Sequence, residues 1–318
     1  MGARQGKITL WELEVFVATA QEASLSAAAR RLDTSAATVS QQLTNLERDL
    51  GTSLLNRSER PVTLTPAGET FLRHANAILD TADAARAELG GLGALSRFRL
   101  GMIEDFDSEV TPRFLTEVAG DLERSRFLLE TGASHRLYDR LEERALDVIV
   151  AAEIGPMQAG HEVHPLLEEP FVIAAPRGAL PERPGPKALR ALPHIQYTTR
   201  HHMGRTIAEH LARQSLGFPH RFELDSYHAL LAMVAEGAGW TILTPLGWNH
   251  ARRFQDAVDI LPMPGRPLGR TISLIARRGV LGELPGDMAG RLRGLIAELV
   301  IRPTARRAPW LSQSLRLR

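Results

Sequence analysis

The segment from Ser26 to Gly68 constrains the fold more than any other part of this chain. Its first run, Ser26-Ala-Ala-Ala-Arg-Arg-Leu32, sets small Ala28 and Ala29 where a second helix can cross closely, and Leu32 where the chain enters a core. Asp33-Thr34-Ser35 then makes a tight turn, and either Asp33 or Ser35 can accept from the free N–H groups of the next helix, Ser35 being the better N-cap. Up to Leu50, Val39, Leu43, Leu46 and Leu50 recur at three- and four-residue steps and form one apolar stripe. The other face carries Ala36, Ala37, Thr38, Ser40, Gln41, Gln42, Thr44 and Asn45, which are short or amide-bearing and almost free of long charged groups. Such a face suits a major groove: amides pair with adenine edges, hydroxyls with bases or phosphates, and alanine packs on a thymine methyl.

Gly51 ends that helix, and Leu54 to Thr65 reads as a short hairpin with Arg57 and Arg60 near its tip. Two exposed arginines there would hold phosphates beside the groove and set position more than sequence preference. Helix, turn, helix and basic hairpin in that order is the sequence form of a winged helix-turn-helix. The expected contacts to double-stranded DNA are Ser35, Ala36, Thr38, Ser40, Gln41, Gln42, Thr44, Arg57 and Arg60. A solvated helix and a solvated turn are the competing readings. Local charge does not separate them, because Arg30, Arg31, Arg48, Arg57 and Arg60 are nearly balanced by Asp33, Glu47, Asp49 and Glu59.

On these residues the chain resembles the LysR-type transcriptional regulators. The match is carried by Ala28, Ala29, Leu32, Ser35, Val39, Ser40, Leu43, Leu46, Glu47, Gly51, Leu54, Arg57, Arg60, Leu64, Thr65, Pro66 and Gly68. Leu55 departs from the family's usual phenylalanine, and a smaller apolar side chain still fills that contact. The resemblance is strong to about Leu89 and looser to about Ile301. It implies an α/β protein overall: a winged helix-turn-helix at residues 8–65, a linker and dimerisation helix at 66–90, and an effector-binding domain at 91–301. That last domain would be two α/β lobes built like a periplasmic binding protein. It also implies a tetramer made as a dimer of dimers.

Composition agrees with a soluble cytoplasmic regulator of two or three domains, since 318 residues exceed what one core usually organises. With no cysteine, the chain has no disulfide framework, thiolate metal site or cysteine redox sensor. The stretch Ile8 to Ala20 is charged at Glu12 and Glu14 and reads as neither signal peptide nor membrane span. The segment 302–318 carries Arg302, Arg306, Arg307, Arg316 and Arg318 with no acid, and is expected to be a disordered basic tail.

From Pro66, where a missing N–H costs a helix nothing, Leu72, Ala75, Leu79, Ala82 and Leu89 follow alternating three- and four-residue steps interrupted by Arg86. This pattern predicts a seam that pairs two copies and sets two reading helices on successive half-sites. Packing onto its own domain is the alternative. Gly90-Gly91-Leu92-Gly93 then reads as a hinge.

Beyond the hinge, apolar runs Phe98–Ile103, Phe127–Glu130, Asp147–Ala151 and Phe171–Ala175 predict strands, helices separating the first three, in a mainly parallel sheet with ligands beyond the strands' carboxyl ends. By the resemblance, lobe one spans about Arg97 to Glu162 plus a returning segment after about Arg270. Asp105 and Phe106 lie in the acidic run Glu104-Asp105-Phe106-Asp107-Ser108, and Asp105 falls where several carboxylate-binding members have serine. An unpaired acid there favours a cationic or hydroxyl-rich effector, unless an internal salt bridge satisfies it. Ser134 matches the family's effector-contacting hydroxyl, at a helix start that also favours polar ligand groups. Thr199, Arg200, His201, His202 and Arg205 form a basic wall of lobe two, and Ser226 and Tyr227 open a further helix. The acid and the basic wall together point to a small amino acid or other zwitterion. Adjacent histidines without ligand spacing do not make a metal site, and no cofactor motif is present.

The chain has no Walker loop, Gly-x-Ser-x-Gly elbow or His-Glu-x-x-His motif, so enzymatic activity is not the reading. Two alternatives stay open: a small-molecule enzyme on the α/β lobes with the N-terminal helices used for assembly, and a DNA-architectural protein with degenerate lobes.

Overall fold

The computed structural model describes residues 8–90, 97–121, 126–156 and 160–318. The chain divides into two compact units, Met1–Gly91 and Leu92–Arg318. The expected hinge at residues 91–93 lies outside the described residues.

In the first unit, α1 (Leu10–Glu22) starts at a capping box in which Thr9 and Glu12 satisfy each other's free N–H groups. Then come α2 (Leu25–Arg31) and α3 (Ala36–Leu50), with Ala28 and Ala29 buried at their crossing and Val39, Leu43 and Leu46 fully enclosed. Gly51 closes α3 at φ +68°, a left-handed cap that a side chain would strain. Strands β1 (Leu55–Asn56) and β2 (Thr63–Leu64) pair antiparallel as the wing, and Leu55 is buried. Helix α4 (Pro66–Gly90) follows. Part of its expected seam packs at home: Leu72, Ala75 and Leu79 join the core of α1 to α3, and Phe16 meets Phe71 at 5.3 Å between ring centroids. Ile78 is 46% exposed on the same helix. The side chains of Arg86 and Leu89 lie outside the described residues.

The second unit holds two lobes. Lobe one runs β3 (Arg97–Met102), α5 (Val110–Asp121), β4 (Arg126–Thr131), α6 (Ser134–Glu142), β5 (Val148–Ala152) and β6 (His161–Pro170). The chain then builds lobe two from β7 (Val172–Pro176), α7 (Pro186–Leu189), β8 (His194–Tyr197), α8 (His202–Arg213), β9 (His220–Leu224), α9 (Tyr227–Ala235), β10 (Thr241–Leu243), α10 (Pro245–His250) and β11 (Val258–Pro262). It returns through β12 (Gly269–Arg277) and α11 (Leu284–Ile296).

Both lobes are mixed rather than mainly parallel. In lobe one β4, β3 and β5 are parallel, whereas β12 lies antiparallel between β5 and β6. In lobe two β7 pairs antiparallel with β10 and β11. The sequence pattern missed this because β6 and β12, 99 residues apart at their paired Gly269 and Pro170 ends, are joined only by tertiary pairing. The two crossings between lobes run side by side, with the Phe171 N–H donating to the Leu268 carbonyl at 2.8 Å.

The segment 302–318 is ordered, contrary to the expectation of a disordered tail. Helix α12 (Arg302–Arg307) continues α11 through a wide turn at Ala297–Ile301, and β13 (Arg316–Leu317) adds to the edge of β6. Ala308, Leu311 and Leu315 are buried, and the Asn249 amide donates to buried Thr304 at 2.7 Å. Apolar residues at three- and four-residue spacing anchor the segment, so its arginine content misled the sequence reading.

Candidate functional site

The first surface is the polar face of α3. Ser35 caps the helix, its hydroxyl accepting from the Thr38 N–H at 3.0 Å. Ala36, Ala37, Gln41 and Thr44 are exposed, while Thr38, Ser40 and Gln42 are half-buried. The Gln41 amide donates to Asn45 at 3.0 Å. Glu47 ties the wing to this helix by accepting from the Leu54 and Leu55 N–H groups at 2.8 and 3.2 Å.

Arg57 is not at a free tip. It is half-buried, ion-paired to Glu47, and donates to the Thr44 hydroxyl at 3.1 Å. Its guanidinium is therefore held at the edge of the α3 face, whereas Arg60 is exposed on the wing.

The second site is a cleft of about 500 Å³ between the two lobes. Its floor is a buried ion cluster at the crossing strands. Arg270, on β12, donates through Nε to Glu169 Oε1 and through Nη2 to Asp105 Oδ1, both at 2.7 Å. Nη2 also reaches Thr244 Oγ1 at 3.2 Å, and the Leu246 N–H donates to Glu169 Oε2 at 3.0 Å. The Tyr227 hydroxyl donates to Asp105 Oδ1 at 3.2 Å. Both lobes and both crossings thus meet at one guanidinium. Tyr227 takes its place because Gly247 packs against it, where a Cβ would lie 2.4 Å from the ring.

Burial pushes the Glu169 carboxyl up, opposed by Arg270. Burial also works against the charge on Arg270, but Glu169 and Asp105 outweigh it and hold the guanidinium protonated. Burial, then Asp105, pushes the Tyr227 phenol well up, so it stays a donor.

Around the floor, lobe one presents the ends of its parallel strands and lobe two the start of α8. Ser134 lies at the first position of α6 and accepts from the Ala152 N–H at 3.0 Å; Ala133 is the N-cap and offers no side-chain bond. His135 faces His201 with ring centroids 5.9 Å apart. Burial, then His201, lowers the His135 imidazole, and burial, then Arg205, lowers that of His202.

Of the residues expected here, Asp105, Ser134, His201, His202 and Tyr227 line the cleft. Phe106 does not: at 1% exposure it is core. Thr199 spends its N–H on Glu223, and Arg205 is exposed and spends its guanidinium on the carbonyls of Thr199 and Arg200. Ser226 is the exposed N-cap of α9, its hydroxyl accepting from Ala229 at 3.5 Å. Of the basic wall, His201 and His202 line the cleft while the arginines do not, and Asp105 is paired internally through Oδ1 alone. Sequence reasoning missed Arg270 and Glu169. The available signal was the double acid Glu168-Glu169 between Leu166-Leu167 and Phe171-Val172, since an acid inside an apolar run needs a buried partner.

A helix-turn-helix unit followed in one chain by a two-lobed, ligand-sized cleft defines an effector-controlled DNA-binding protein. Residues 10–69 match the profile "Bacterial regulatory helix-turn-helix protein, lysR family", and residues 93–284 match "LysR substrate binding domain". The chain belongs to the LysR family; it is a DNA-binding transcriptional regulator with an effector-binding domain, not an enzyme. A probable hydrogen peroxide-inducible genes activator of Mycobacterium avium is 32% identical over 310 residues, covering 92% of this chain and 94% of that protein. The DNA-binding transcriptional dual regulator OxyR of Escherichia coli (strain K12) is 27% identical over 279 residues, covering 84% and 89%. A full-length OxyR point variant from Pseudomonas aeruginosa has the same fold, with a TM-score of 0.70 at 23% identity over 91% of this chain and 95% of that one.

Proposed function

We propose that this regulator reads duplex DNA through Ser35, Ala36, Thr38, Ser40, Gln41, Gln42 and Thr44, positioned by Arg57 and Arg60, and that a small molecule in the interlobe cleft alters the DNA complex. The observation that carries this is the Arg270–Asp105–Glu169 cluster, which binds both lobes and both crossings at the floor of a cleft sized for a metabolite. A ligand biases such a joint by its difference in affinity for the open and closed arrangements. The protein acts as a homodimer through α4, where exposed Ile78 continues the apolar pattern, and as a tetramer of two such dimers. Its place of work is the cytoplasm, and no helix among the described residues is long and apolar enough to cross a membrane.

The names of several relatives concern hydrogen peroxide. This chain has no cysteine, so the thiol-to-disulfide route to a peroxide response is closed to it. A reversible binder is the reading that its composition supports.

The test is a DNA footprint on the protein's own promoter over a salt series, with and without small amines, amino acids and carboxylates. An interrupted protected palindrome whose extent changes with one compound is expected, and Ser134→Ala should keep the footprint but blunt the change. No sequence-specific protection at any salt concentration would overturn the proposal.

A further inference from the structure

The charges on the cleft wall are unequal. Among the described lining residues Arg270 is the one Lys or Arg, and it is shared by two carboxylates that are themselves buried, with side-chain exposures of 7% for Asp105 and 0% for Glu169. Asp105 receives both Arg270 and Tyr227 on Oδ1, leaving Oδ2 without a donor among the described residues.

Two further acids line the same cavity. Glu104 follows β3 and Glu153 follows β5, strands paired in parallel at Gly101↔Ile149 and Met102↔Val150. Adjacent strands lie roughly 4.8 Å apart, so the two side chains leave neighbouring strand ends within reach of one small group. Neither has an ion-pair partner among the described residues; Glu153 accepts from the Ser273 hydroxyl at 2.6 Å. Glu168, by contrast, is committed to Arg316 and Arg318 at 2.8 Å each. His135 and His202 line the same cavity and are held below the ordinary imidazole value, chiefly by burial.

We infer that the effector carries a positive charge, an alkylammonium or guanidinium, held over Asp105 Oδ2 by Glu104 and Glu153. This rests on the reading of the cleft as the effector site and replaces the zwitterion expected from Asp105 and the basic wall, whose arginines do not line the cleft. A ligand carboxylate would meet an excess of like charge with its one guanidinium already engaged. A cation compensates that excess directly, and a neutral polar end can meet Ser134 and the start of α6.

The experiment is calorimetric titration of the full chain with 1,4-diaminobutane, 4-guanidinobutylamine, β-alanine, succinate and glycerol at fixed ionic strength. A cationic probe should bind tightest, and E104Q and E153Q should each weaken it about tenfold or more while leaving the thermal transition in place. The exposed control E182Q should leave the affinity unchanged. Tighter binding of succinate, β-alanine or glycerol than of both cations overturns the charge assignment but keeps the cleft as the site. Cation binding unaffected by E104Q and E153Q also overturns it. Binding of no probe overturns both readings.

Discussion

The α3 face proposed to read DNA and the interlobe cleft proposed to hold the effector are built by opposite means. The first comes from about forty consecutive residues, and its polar side chains stay at the surface beside their own sequence neighbours. The second depends on Arg270 meeting Asp105 across 165 residues of sequence and Glu169 across 101, all three largely buried. A surface face loses specificity when a side chain is removed. A buried charge cluster loses the fold around it.

The sharpest way to break this comparison is Arg270→Met, which leaves two buried carboxylates facing each other. Roughly 3 to 5 kcal/mol should be lost from the second unit. Urea unfolding followed by the fluorescence of Trp240 and Trp248 checks it, with Trp11 in the first unit as reference; an equal loss in both units would dissolve the distinction.

A second effect, of about 3 kcal/mol at its fullest, comes from pH. Burial holds His194, stacked on Trp240 at 4.6 Å, down to about 4 from the ordinary 6.5. The folded state takes up this proton less readily than the unfolded chain. Its contribution is therefore complete above pH 6.5 and is lost as pH falls from there towards 4. Urea titrations at pH 7 and 4.5 should show the loss in the second unit, and His194→Gln should flatten that slope.

At the proposed DNA surface the expected changes are smaller and leave folding alone. Gln42→Ala should relax preference at one base position by about 1 to 3 kcal/mol without unfolding, measured by binding to a library of single-base operator variants. The smallest effect is expected for Arg60→Ala, which should weaken all duplexes alike and reduce the salt slope of log K by about 1. A change in sequence preference from Arg60→Ala would show that the wing reads bases.

The sequence by itself determined the helix-turn-helix, its Ser35 cap, the Gly51 stop and the wing, because each rests on contacts within a few turns of chain. It also placed Asp105, Ser134, His201, His202 and Tyr227, which line the cleft because strand ends and helix starts are local signals. It misjudged Phe106, since an aromatic beside acids looks the same whether it faces a ligand or a core. Thr199, Arg205 and Ser226 were misplaced because one residue's rotation at a helix start decides which way a side chain points. Only the tertiary structure decided the rest. Pairing of β12 between β5 and β6 brought Arg270 to its two carboxylates, the buried apolar residues of 302–318 folded that segment onto β6, and α1 claimed part of the expected dimer seam. The physical reason is common to all three: burial and charge pairing act through space between segments distant in the chain, and no local pattern records which distant partner will be found.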